Sequence, residues 1–481
     1  MRSHTQWLQK VVRVFTLMTA LFSISATTSF SQASLFDPTF NIGSGANGTV
    51  YGIVPQDDGK VIVGGSFTEI SGQPCTNLAR LNADGRLDTT FPQGTDGAIY
   101  RMLKQPDGKI LVGGAFTNLQ GVLRQRIGRL HTNGTVDMSF DAGVAVPEGV
   151  MVLTLACQSD EKVLVGTVPP SGAFSFLKRL LPTGELDNSF IQTNVFWGSY
   201  ILAICIRTNG SILVGGGFNQ VNGFSASALA LVATNGVLDT EFASPIQTIF
   251  AYGSPYGSGI YAMAALSDNS ILMGGGFFRD GFLTNKLVLA KLTSSLAWDS
   301  SFTIDTFNSE PLTPGYVMAI SLQTDGKMIL GGNFQRVGGY WRQSLVRLDS
   351  DGHVDPCFDP GIGLSPFHFA EFYRGISSIA LQSDGKILAA GNFGNLMSGA
   401  NCITRLLPQS ECGAIRVHLR KDGFGGYLVA GTCNPGGTNH LQWSTNLVDW
   451  ETATSTTSPY VATSNSFWFK PELFFRVKQE Y

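Results

Sequence analysis

One twelve-residue pattern returns seven times along this chain of 481 residues and limits its fold more than any other feature. The first copy, QDDGKVIVGGSF at 56–67, joins a polar turn, an apolar run and a glycine pair. The other copies start at residues 105, 158, 207, 266, 323 and 382, so neighbouring copies lie 49 to 59 residues apart. Self-similarity at such a period indicates a solenoid or a propeller.

A second pattern, ARLNADGRLDTTF at 79–91 in its first copy, follows each of the first six copies by roughly 25 residues. Most repeats therefore hold two Asp-Gly, Asn-Gly or similar pairs, which favour positive φ and predict two-residue hairpin turns. Two hairpins make four strands, which we place in the first repeat at 51–54, 60–67, 78–81 and 87–91. Repeated four-stranded units of this length are typical of propeller blades.

The two ends of the repeat array complement each other. The seventh copy runs into ITRLLPQSECG at 403–413 and lacks the Leu-Asp-x-x-Phe segment, whereas LFDPTF at 35–40 supplies that segment near the start of the chain. If the N-terminal strand completes the last blade, no sheet edge is left open. We therefore predict an all-β, seven-bladed propeller of four-stranded blades over residues 34–411, closed by its N-terminal strand.

The paired motif DGKILVGGxF…ARLNxDGxLDxxF resembles the delta-60 repeat, a β-propeller repeat of exported bacterial proteins, over residues 35–407. The match is most specific in copies one, two and six. Copy three departs from it at Glu161 and Thr167, and copy five departs at Asn269, each in place of a glycine. The resemblance implies a propeller fold and, because the biochemical role of this family is poorly defined, little about function.

The first 33 residues have the layout of a secretory signal peptide. The cations Arg2, Lys10 and Arg13 precede or border the apolar run 14–24, and Ser31-Gln32-Ala33 provides a cleavage site. No later segment approaches about 18 uninterrupted apolar residues, so we expect no transmembrane segment in the mature chain. The protein is predicted to be secreted or held at the cell surface.

The last part of the chain, 412–481, falls outside the repeat. It carries LQWSTNLVDWETAT and ends in PELFFRVKQEY. This segment resembles the small β-sandwich modules that end many secreted bacterial proteins. The resemblance implies a separate C-terminal β domain.

Charge and composition limit the partners. The formal charge is −3, or −6 without the three cations of the leader, and no run is rich in Lys or Arg. Nucleic acids and anionic membrane surfaces require clustered cations, so neither is a predicted partner. The expected partner is a protein or carbohydrate at the cell surface, and no cofactor is expected.

The seven cysteines include no CxxC pair, and no histidine has a second histidine or a thiolate pair at zinc spacing, so no metal site is predicted. An oxidising destination permits a bridge between two of the cysteines near the end of the repeats, Cys402, Cys412 and Cys433. Cys412 with Cys433 is the pair that we predict. One thiol must lack an intrachain partner, because the number is odd.

Two repeated features are interpreted as scaffolding. Gly64-Gly65 ends a strand and is not followed by a helical pattern, so it is not a phosphate-binding loop. We expect it to let neighbouring blades approach closely. A repeated aspartate is expected to accept hydrogen bonds from nearby backbone amides and brace a turn. Its copies are Asp37, Asp88, Asp137, Asp187, Asp239, Asp299 and Asp355.

The links between repeats are long, variable and rich in aromatic residues, and we expect them on the face opposite the tight turns. Aromatic rings beside polar groups can bind a sugar or a protein, and the same rings can instead fold inward over the channel. Both interpretations stay open. The candidate ligand-binding residues are Trp197, Tyr200, Tyr252, Tyr256, Phe369, Glu371, Tyr373 and Arg374.

The leading functional hypothesis is an exported, non-catalytic propeller that binds or scaffolds a protein or polysaccharide at the cell surface. The first alternative is a polysaccharide-active hydrolase or lyase, for which Asp305, Glu310 and Glu371 are the attractive acids. No recognisable set of acid, base or metal ligands supports catalytic residues. The second alternative is a structural spacer that carries the terminal module.

Overall fold

A computed structural model describes the chain from Leu35 onward with gaps. The described ranges are 35–92, 94–146, 149–168, 174–191, 193–198, 200–246, 259–278, 286–304, 307–308, 315–338, 340–360, 364–366, 375–395 and 401–408, followed by six strands between 416 and 480. Within these ranges the protein is all-β, and the helix present is a single 3-10 turn at Gly143–Ala145. The predicted leader, 1–33, lies outside the described residues.

Nineteen of the described strands lie in the first four repeats. They are β1 (Thr49–Pro55), β2 (Val61–Ser66), β3 (Glu69–Ile70), β4 (Gln73–Pro74), β5 (Leu78–Leu81), β6 (Ile99–Lys104), β7 (Ile110–Gly114), β8 (Asn118–Leu119), β9 (Val122–Leu123), β10 (Ile127–Leu130), β11 (Met151–Cys157), β12 (Val163–Val168), β13 (Phe174–Leu180), β14 (Val195–Trp197), β15 (Ile201–Ile206), β16 (Ile212–Gly216), β17 (Gln220–Val221), β18 (Phe224–Ser225) and β19 (Leu229–Val232).

The remaining repeats and the C-terminal segment contain the other described strands. They are β20 (Gly259–Ala265), β21 (Ile271–Phe278), β22 (Lys286–Leu292), β23 (Phe307–Asn308), β24 (Tyr316–Leu322), β25 (Met328–Asn333), β26 (Arg336–Val337), β27 (Tyr340–Trp341), β28 (Leu345–Leu348), β29 (Leu364–Pro366), β30 (Gly375–Leu381), β31 (Ile387–Asn395), β32 (Asn401–Leu406), β33 (Arg416–Lys421), β34 (Tyr427–Thr432), β35 (Thr438–Ser444), β36 (Glu451–Thr456), β37 (Tyr460–Ala462) and β38 (Phe474–Glu480).

One antiparallel unit recurs in each repeat among the described residues: a first strand pairs with a middle strand, and the middle strand pairs with a third. The units are β1-β2-β5, β6-β7-β10, β11-β12-β13, β15-β16-β19, β20-β21-β22, β24-β25-β28 and β30-β31-β32. The third unit is part of a six-stranded sheet with β14, β17 and β18, and the seventh is part of a four-stranded sheet with β29. The middle strands are continuous apolar runs because both of their faces are covered, as the fully buried Val61, Ile62 and Val63 of β2 illustrate.

The first hairpin of each repeat has a longer loop than predicted. In repeat one the Gln56 N–H donates to the Lys60 carbonyl at 2.8 Å, and the Gly59 N–H donates to the Gln56 carbonyl at 3.1 Å. Three residues therefore form the loop, and Gly59 has a left-handed φ of +82°. The Asp-Gly pair does mark the turn, but the two-residue length is wrong, because the left-handed glycine is added after the turn as a bulge.

The predicted fourth strand is reduced to a single bridging residue. In repeat one Leu87 bridges Leu81, and the chain then turns away at Asp88, whose side chain accepts the Thr90 N–H at 3.0 Å. That local hydrogen bond competes with further pairing and ends the strand. The same bridge in the seventh repeat joins Leu406 to Phe36 of the N-terminal segment.

The two glycines of the pattern have different roles. A Cβ at Gly64 would lie 2.6 Å from Met102 Sδ and 2.8 Å from Ile99 Cγ2, both in the next repeat. A Cβ at Gly65 would lie 2.1 Å from the Thr49 carbonyl of its own sheet. Close packing between repeats, expected of both glycines, is therefore confirmed for the first, whereas the second is required within the sheet.

First strands of successive sheets lie side by side. β1 contacts β6, and contacts follow in chain order through β11, β15, β20, β24 and β30, which in turn contacts β1. The apolar core consists of clusters shared between neighbouring sheets; one of them joins Val50 and Ile53 of the first repeat to Leu388 and Ala390 of the seventh. The first strands are therefore the elements that position a central site.

Beyond the repeats, the C-terminal strands form two antiparallel sheets, β33-β34-β37 and β36-β35-β38. That the C-terminal segment, 412–481, is a separate β-sandwich domain stays a prediction. No helix in the described part of the chain is long and apolar enough to cross a membrane.

Among the described cysteines, Cys75, Cys157 and Cys205 are free thiols, and Cys357 is disulfide-bonded. Cys357 is not among the cysteines that we predicted to form a bridge. The predicted pair, Cys412 and Cys433, lies outside the described residues.

Candidate ligand-binding channel

Every first strand of the seven units carries a β-bulge at the same repeat position. In repeat one Val50 pairs with Gly65 and Gly52 pairs with Gly64, so Tyr51 between them is left unpaired. A bulge bends the strand and redirects the side chain of the extra residue. The seven bulged residues are Tyr51, Tyr100, Leu153, Leu202, Tyr261, Met318 and Ser377.

All seven bulged residues line one cavity of about 220 Å³. Its other lining residues are Arg101, Met151, Val168 and Tyr200. The cavity lies among the first strands, and each of them contributes its bulged residue to the lining. A structural device repeated seven times therefore builds a lining whose chemistry differs from repeat to repeat.

Tyrosines give the cavity most of its aromatic surface. The rings of Tyr51 and Tyr100 lie 5.5 Å apart between centroids, and the ring of Tyr261 lies 5.9 Å from that of Tyr316. Burial raises the pKa of Tyr100, which keeps its hydroxyl protonated at neutral pH. Such rings offer an apolar face for a sugar or another ring, together with hydroxyls for hydrogen bonding.

Arg101 is the charged residue in the described lining of the cavity. It follows the bulged Tyr100 directly, at a position where the other six repeats have Gly52, Thr154, Ala203, Ala262, Ala319 and Ser378. Burial lowers the pKa of Arg101, but an arginine remains charged in proteins. No acidic side chain is among the described lining residues.

Of the predicted ligand-binding residues, the structure describes Trp197 and Tyr200. Tyr200 lines the cavity, whereas Trp197 lies in β14, 46% exposed, with its ring 5.4 Å from that of Phe174. The two therefore have different surroundings despite their proximity in sequence. The other six, Tyr252, Tyr256, Phe369, Glu371, Tyr373 and Arg374, lie outside the described residues, as do Asp305 and Glu310.

Other aromatic residues of the described links fold inward. Phe196 is buried edge-on against Phe218 with centroids 4.9 Å apart, and Phe307 packs in the same manner on Phe334 at 5.3 Å. The links carrying them are held by short strands, since β14 pairs with β17 and β23 pairs with β26. Self-packing is thus the observed role for these two rings.

The cavity residues Tyr51, Tyr100, Arg101 and Tyr261 were not predicted as site residues, because they lie inside strands and the site residues were predicted in the long links between repeats. The sequence does contain a signal for this position. When the seven copies are aligned, the residue five positions before the start of the pattern changes among Tyr, Leu, Met and Ser, while the strand residues that follow it stay apolar.

The repeated aspartates have the structural role predicted for them. Asp137, 2% exposed, accepts the Ser139 N–H at 2.9 Å and lies 2.8 Å from Arg129 Nε and 3.5 Å from Lys109 Nζ. Burial opposes ionisation, yet the hydrogen bonds from Ser139 and the charge of Arg129 lower the pKa of Asp137 well below its usual range. We call this arrangement of aspartate, arginine and lysine the Asp–Arg–Lys cluster.

Five repeats have a complete Asp–Arg–Lys cluster. In each, the arginine also lies over the phenylalanine of the Leu-Asp-x-x-Phe segment, 4.5 to 4.9 Å from its centroid. The clusters are Asp88–Arg80–Lys60, Asp137–Arg129–Lys109, Asp187–Arg179–Lys162, Asp355–Arg347–Lys327 and Asp37–Arg405–Lys386. These carboxylates are committed to ion pairs within the scaffold. In the described part of the chain, no group of three His, Cys, Asp or Glu residues could hold a metal ion.

One family model matches five stretches of the chain. The family model described as "Domain of unknown function (DUF5122) beta-propeller" matches residues 56–91, 105–140, 207–242, 323–358 and 382–410. No curated protein matches the chain.

Among solved structures the chain is similar to a calcium-binding regucalcin from Agrobacterium tumefaciens, at 12% identity and a TM-score of 0.34, covering 62% of this chain and 85% of that one. It is also similar to puromycin hydrolase, at 11% identity and a TM-score of 0.42, covering 83% of this chain and 60% of that one. A third is Drosophila semaphorin 1a, at 10% identity and a TM-score of 0.38, covering 78% and 88%. Nothing about ligands or activity follows from likenesses this low. The five stretches matched by the family model lie in copies one, two, four, six and seven, and these copies are similar to the repeats of the DUF5122 β-propeller family.

Proposed function

We propose that this protein is an exported, non-catalytic β-propeller whose central channel binds part of a polysaccharide or protein at the cell surface. The observation that carries the proposal is the convergence of all seven bulged residues, three of them tyrosines, on one cavity. A scaffold that repeats its core and varies its central lining is suited to recognition. The fold alone does not determine function, so the proposal depends on this site.

A closed ring of seven blades is part of the proposal. The arginine of a complete cluster donates to a turn carbonyl of the following repeat, as Arg129 does to Pro182 O at 2.9 Å. Arg405 of the seventh repeat makes the same bond, at 2.9 Å, to Ala83 O of the first repeat. The contact of β30 with β1 also supports closure.

Binding is favoured over catalysis by the lining itself. Acid–base hydrolysis of a glycosidic bond uses a pair of carboxyl groups beside the bond. The described lining offers tyrosine hydroxyls, apolar side chains and Arg101, with no carboxylate. The same set can stack on a ring and orient it, which is what a binding site requires.

The test is a screen of the full chain against a glycan array and a panel of cell-surface proteins, followed by variants. We expect Tyr51→Ala and Tyr261→Ala to weaken binding of a positive ligand about tenfold or more, because each removes a stacking face from the cavity. Phe224→Ala is the matched control, since Phe224 is exposed and does not line the cavity. Its affinity should equal that of the wild type.

Three results would contradict the proposal. Loss of binding with Trp197→Ala but not with Tyr51→Ala would move the site to the loop face. Chemical change of the bound glycan, abolished by Glu371→Gln, would favour the hydrolase or lyase. A chain that retains no ligand in either screen would favour the spacer.

A further inference from the structure

The position of Arg101 is unlike its counterparts in every other repeat. Three of the equivalent residues are alanines, and the others are Gly52, Thr154 and Ser378. The scaffold therefore accepts a small side chain at this position and does not require a cation for folding. The presence of an arginine in repeat two alone needs a local explanation.

The charge of Arg101 is not used by the scaffold. The arginines of the Asp–Arg–Lys clusters each pair with a buried aspartate, as Arg129 does with Asp137. Arg101 has no ion pair and no hydrogen bond with any side chain of the described residues, and the other described residues of the cavity lining are tyrosines, apolar residues and Ser377. Arg101 is half-buried in the cavity lining, where a ligand of opposite charge can pair with its guanidinium.

From these contacts we propose that the channel recognises a saccharide carrying a carboxylate, with Arg101 as the carboxylate-binding residue and the neighbouring tyrosines as stacking platforms. The inference rests on the proposed function and specifies its ligand class. A guanidinium forms two parallel hydrogen bonds to a carboxylate, which fixes orientation as well as charge. A sugar ring then lies against Tyr51 or Tyr100, whose rings are 5.5 Å apart.

The dimensions and charge of the site fit this ligand. The cavity of about 220 Å³ lies below the roughly 300–1,000 Å³ of typical small-molecule pockets, which suits one sugar unit rather than a bundle of chains. The mature chain is predicted to carry a net charge of −6, so Arg101 provides local attraction for an anion on a protein whose overall charge repels one. A single uronic acid residue of a glycan meets both conditions.

The experiment compares glucuronate, glucose, acetate and the peptide acetyl-Ala-Ala as ligands of the full chain by isothermal titration calorimetry at low salt. We expect glucuronate to bind at least tenfold more tightly than either glucose or acetate, because a hydrogen bond to a charged group adds to stacking. Arg101→Ala should lower glucuronate affinity to that of glucose without changing glucose affinity. Because alanine is the natural residue in three repeats, this variant is expected to fold.

Two further variants refine the test. Arg101→Lys retains the charge without the two-pronged geometry and should restore part of the affinity for glucuronate. Arg86→Ala is the control. Arg86 is exposed and is not a lining residue of the cavity, so this substitution removes the same charge at a different place. Its glucuronate affinity should equal that of the wild type.

The outcomes separate the two proposals. Binding of glucose and glucuronate with equal affinity, or no effect of Arg101→Ala, overturns the carboxylate inference and leaves the binding function in place. Acetate binding as tightly as glucuronate overturns the saccharide part. Preferential binding of the peptide acetyl-Ala-Ala would assign the channel to a protein terminus and overturns the inference. Absence of binding to all four probes overturns the inference, and the glycan and protein screen then decides the proposed function.

Discussion

The first and fourth repeats share a backbone and differ in how their aspartates are held. Asp88 and Asp239 both accept a backbone N–H two residues later at 3.0 Å. Around Asp88 lie Arg80 and Lys60, whereas the equivalent positions in the fourth repeat are Leu231 and Ser211, and Asp239 is exposed. The backbone hydrogen bond is therefore sufficient for the turn, and the cations form an additional layer.

That additional layer connects neighbouring repeats. Arg80 donates to Asn133 O of the next repeat at 2.6 Å. The fourth repeat has Leu231 at the equivalent position, and its contact with the turn of the fifth repeat is made instead by Arg207, which donates to Ser294 O. The fifth repeat is intermediate, with Lys291 3.6 Å from Asp299. The junction after repeat four thus lacks the contact made from the position of Arg80 and is bridged by Arg207 instead.

Removing residues 35–41 should produce the largest effect, because it converts the complete seventh repeat into an incomplete one. The deletion takes away Asp37, leaves the buried Arg405 without its carboxylate, and removes the buried Leu35. We expect a loss of more than about 5 kcal/mol in the free energy of unfolding, or failure to fold. Urea denaturation measures it, and an unchanged midpoint would contradict closure by this segment.

Asparagine substitutions compare a repeat that has a complete Asp–Arg–Lys cluster with a repeat that has none. Asp137→Asn leaves the buried guanidinium of Arg129 unpaired and should lower the free energy of unfolding by about 3–5 kcal/mol. Asp239→Asn, at an exposed aspartate without a cation, should cost less than about 1 kcal/mol. Urea midpoints of the two variants test this, and equal losses would show that the cations contribute nothing.

Lowering the pH should reduce the stability of the repeats that have a complete Asp–Arg–Lys cluster, because it protonates their aspartates. Burial raises the pKa of Asp187, but the hydrogen bonds from Ser189 and the charge of Arg179 outweigh it and lower the pKa to about 2. The unfolded value is about 3.9, so this stabilisation, on the order of 2 kcal/mol, is present above about pH 4 and is lost as the pH falls toward 2.

Asp187→Asn should therefore be less stable than the wild type at neutral pH and approach it in stability near pH 2. Thermal melting followed by circular dichroism from pH 5 to pH 2 gives the comparison. Parallel curves for the two proteins would show that Asp187 titrates normally in the folded state.

The smallest effect concerns the first turn of repeat three. Glu161 has a left-handed φ of +63° at the position of Gly59 and is exposed. Glu161→Gly should raise the free energy of unfolding by up to about 1 kcal/mol by relieving this strain. Asn269→Gly at the equivalent position of repeat five is the control and should gain less, since asparagine tolerates the left-handed region. A loss of stability in Glu161→Gly would contradict the argument.

Most of the scaffold could be predicted from the sequence. The turns at Asp58-Gly59, the buried run Val61–Val63 and the bracing role of Asp88 follow from local chemistry and from repetition. The loop length and the fourth strand were wrong in detail, because a left-handed glycine and a side-chain hydrogen bond compete locally with regular pairing.

Less of the candidate site could be predicted. Tyr200 was selected for its loop and lies in the cavity lining, but Tyr51, Tyr100 and Arg101 were missed because they lie within regular strands. Their side chains reach one place through a β-bulge, and a bulge has no reliable signature in a single strand. Only the alignment of seven copies reveals that the position varies.

The sequence by itself determined an all-β repeat protein, since turn residues, apolar runs and the pattern period act locally and recur seven times. Tertiary structure decided which side chains meet. Arg405 and Asp37 are separated by 368 residues and lie 2.8 Å apart, and the bulged residues of seven strands share one cavity. Such contacts depend on how distant sheets pack against one another, and that packing is a property of the folded chain rather than of any segment.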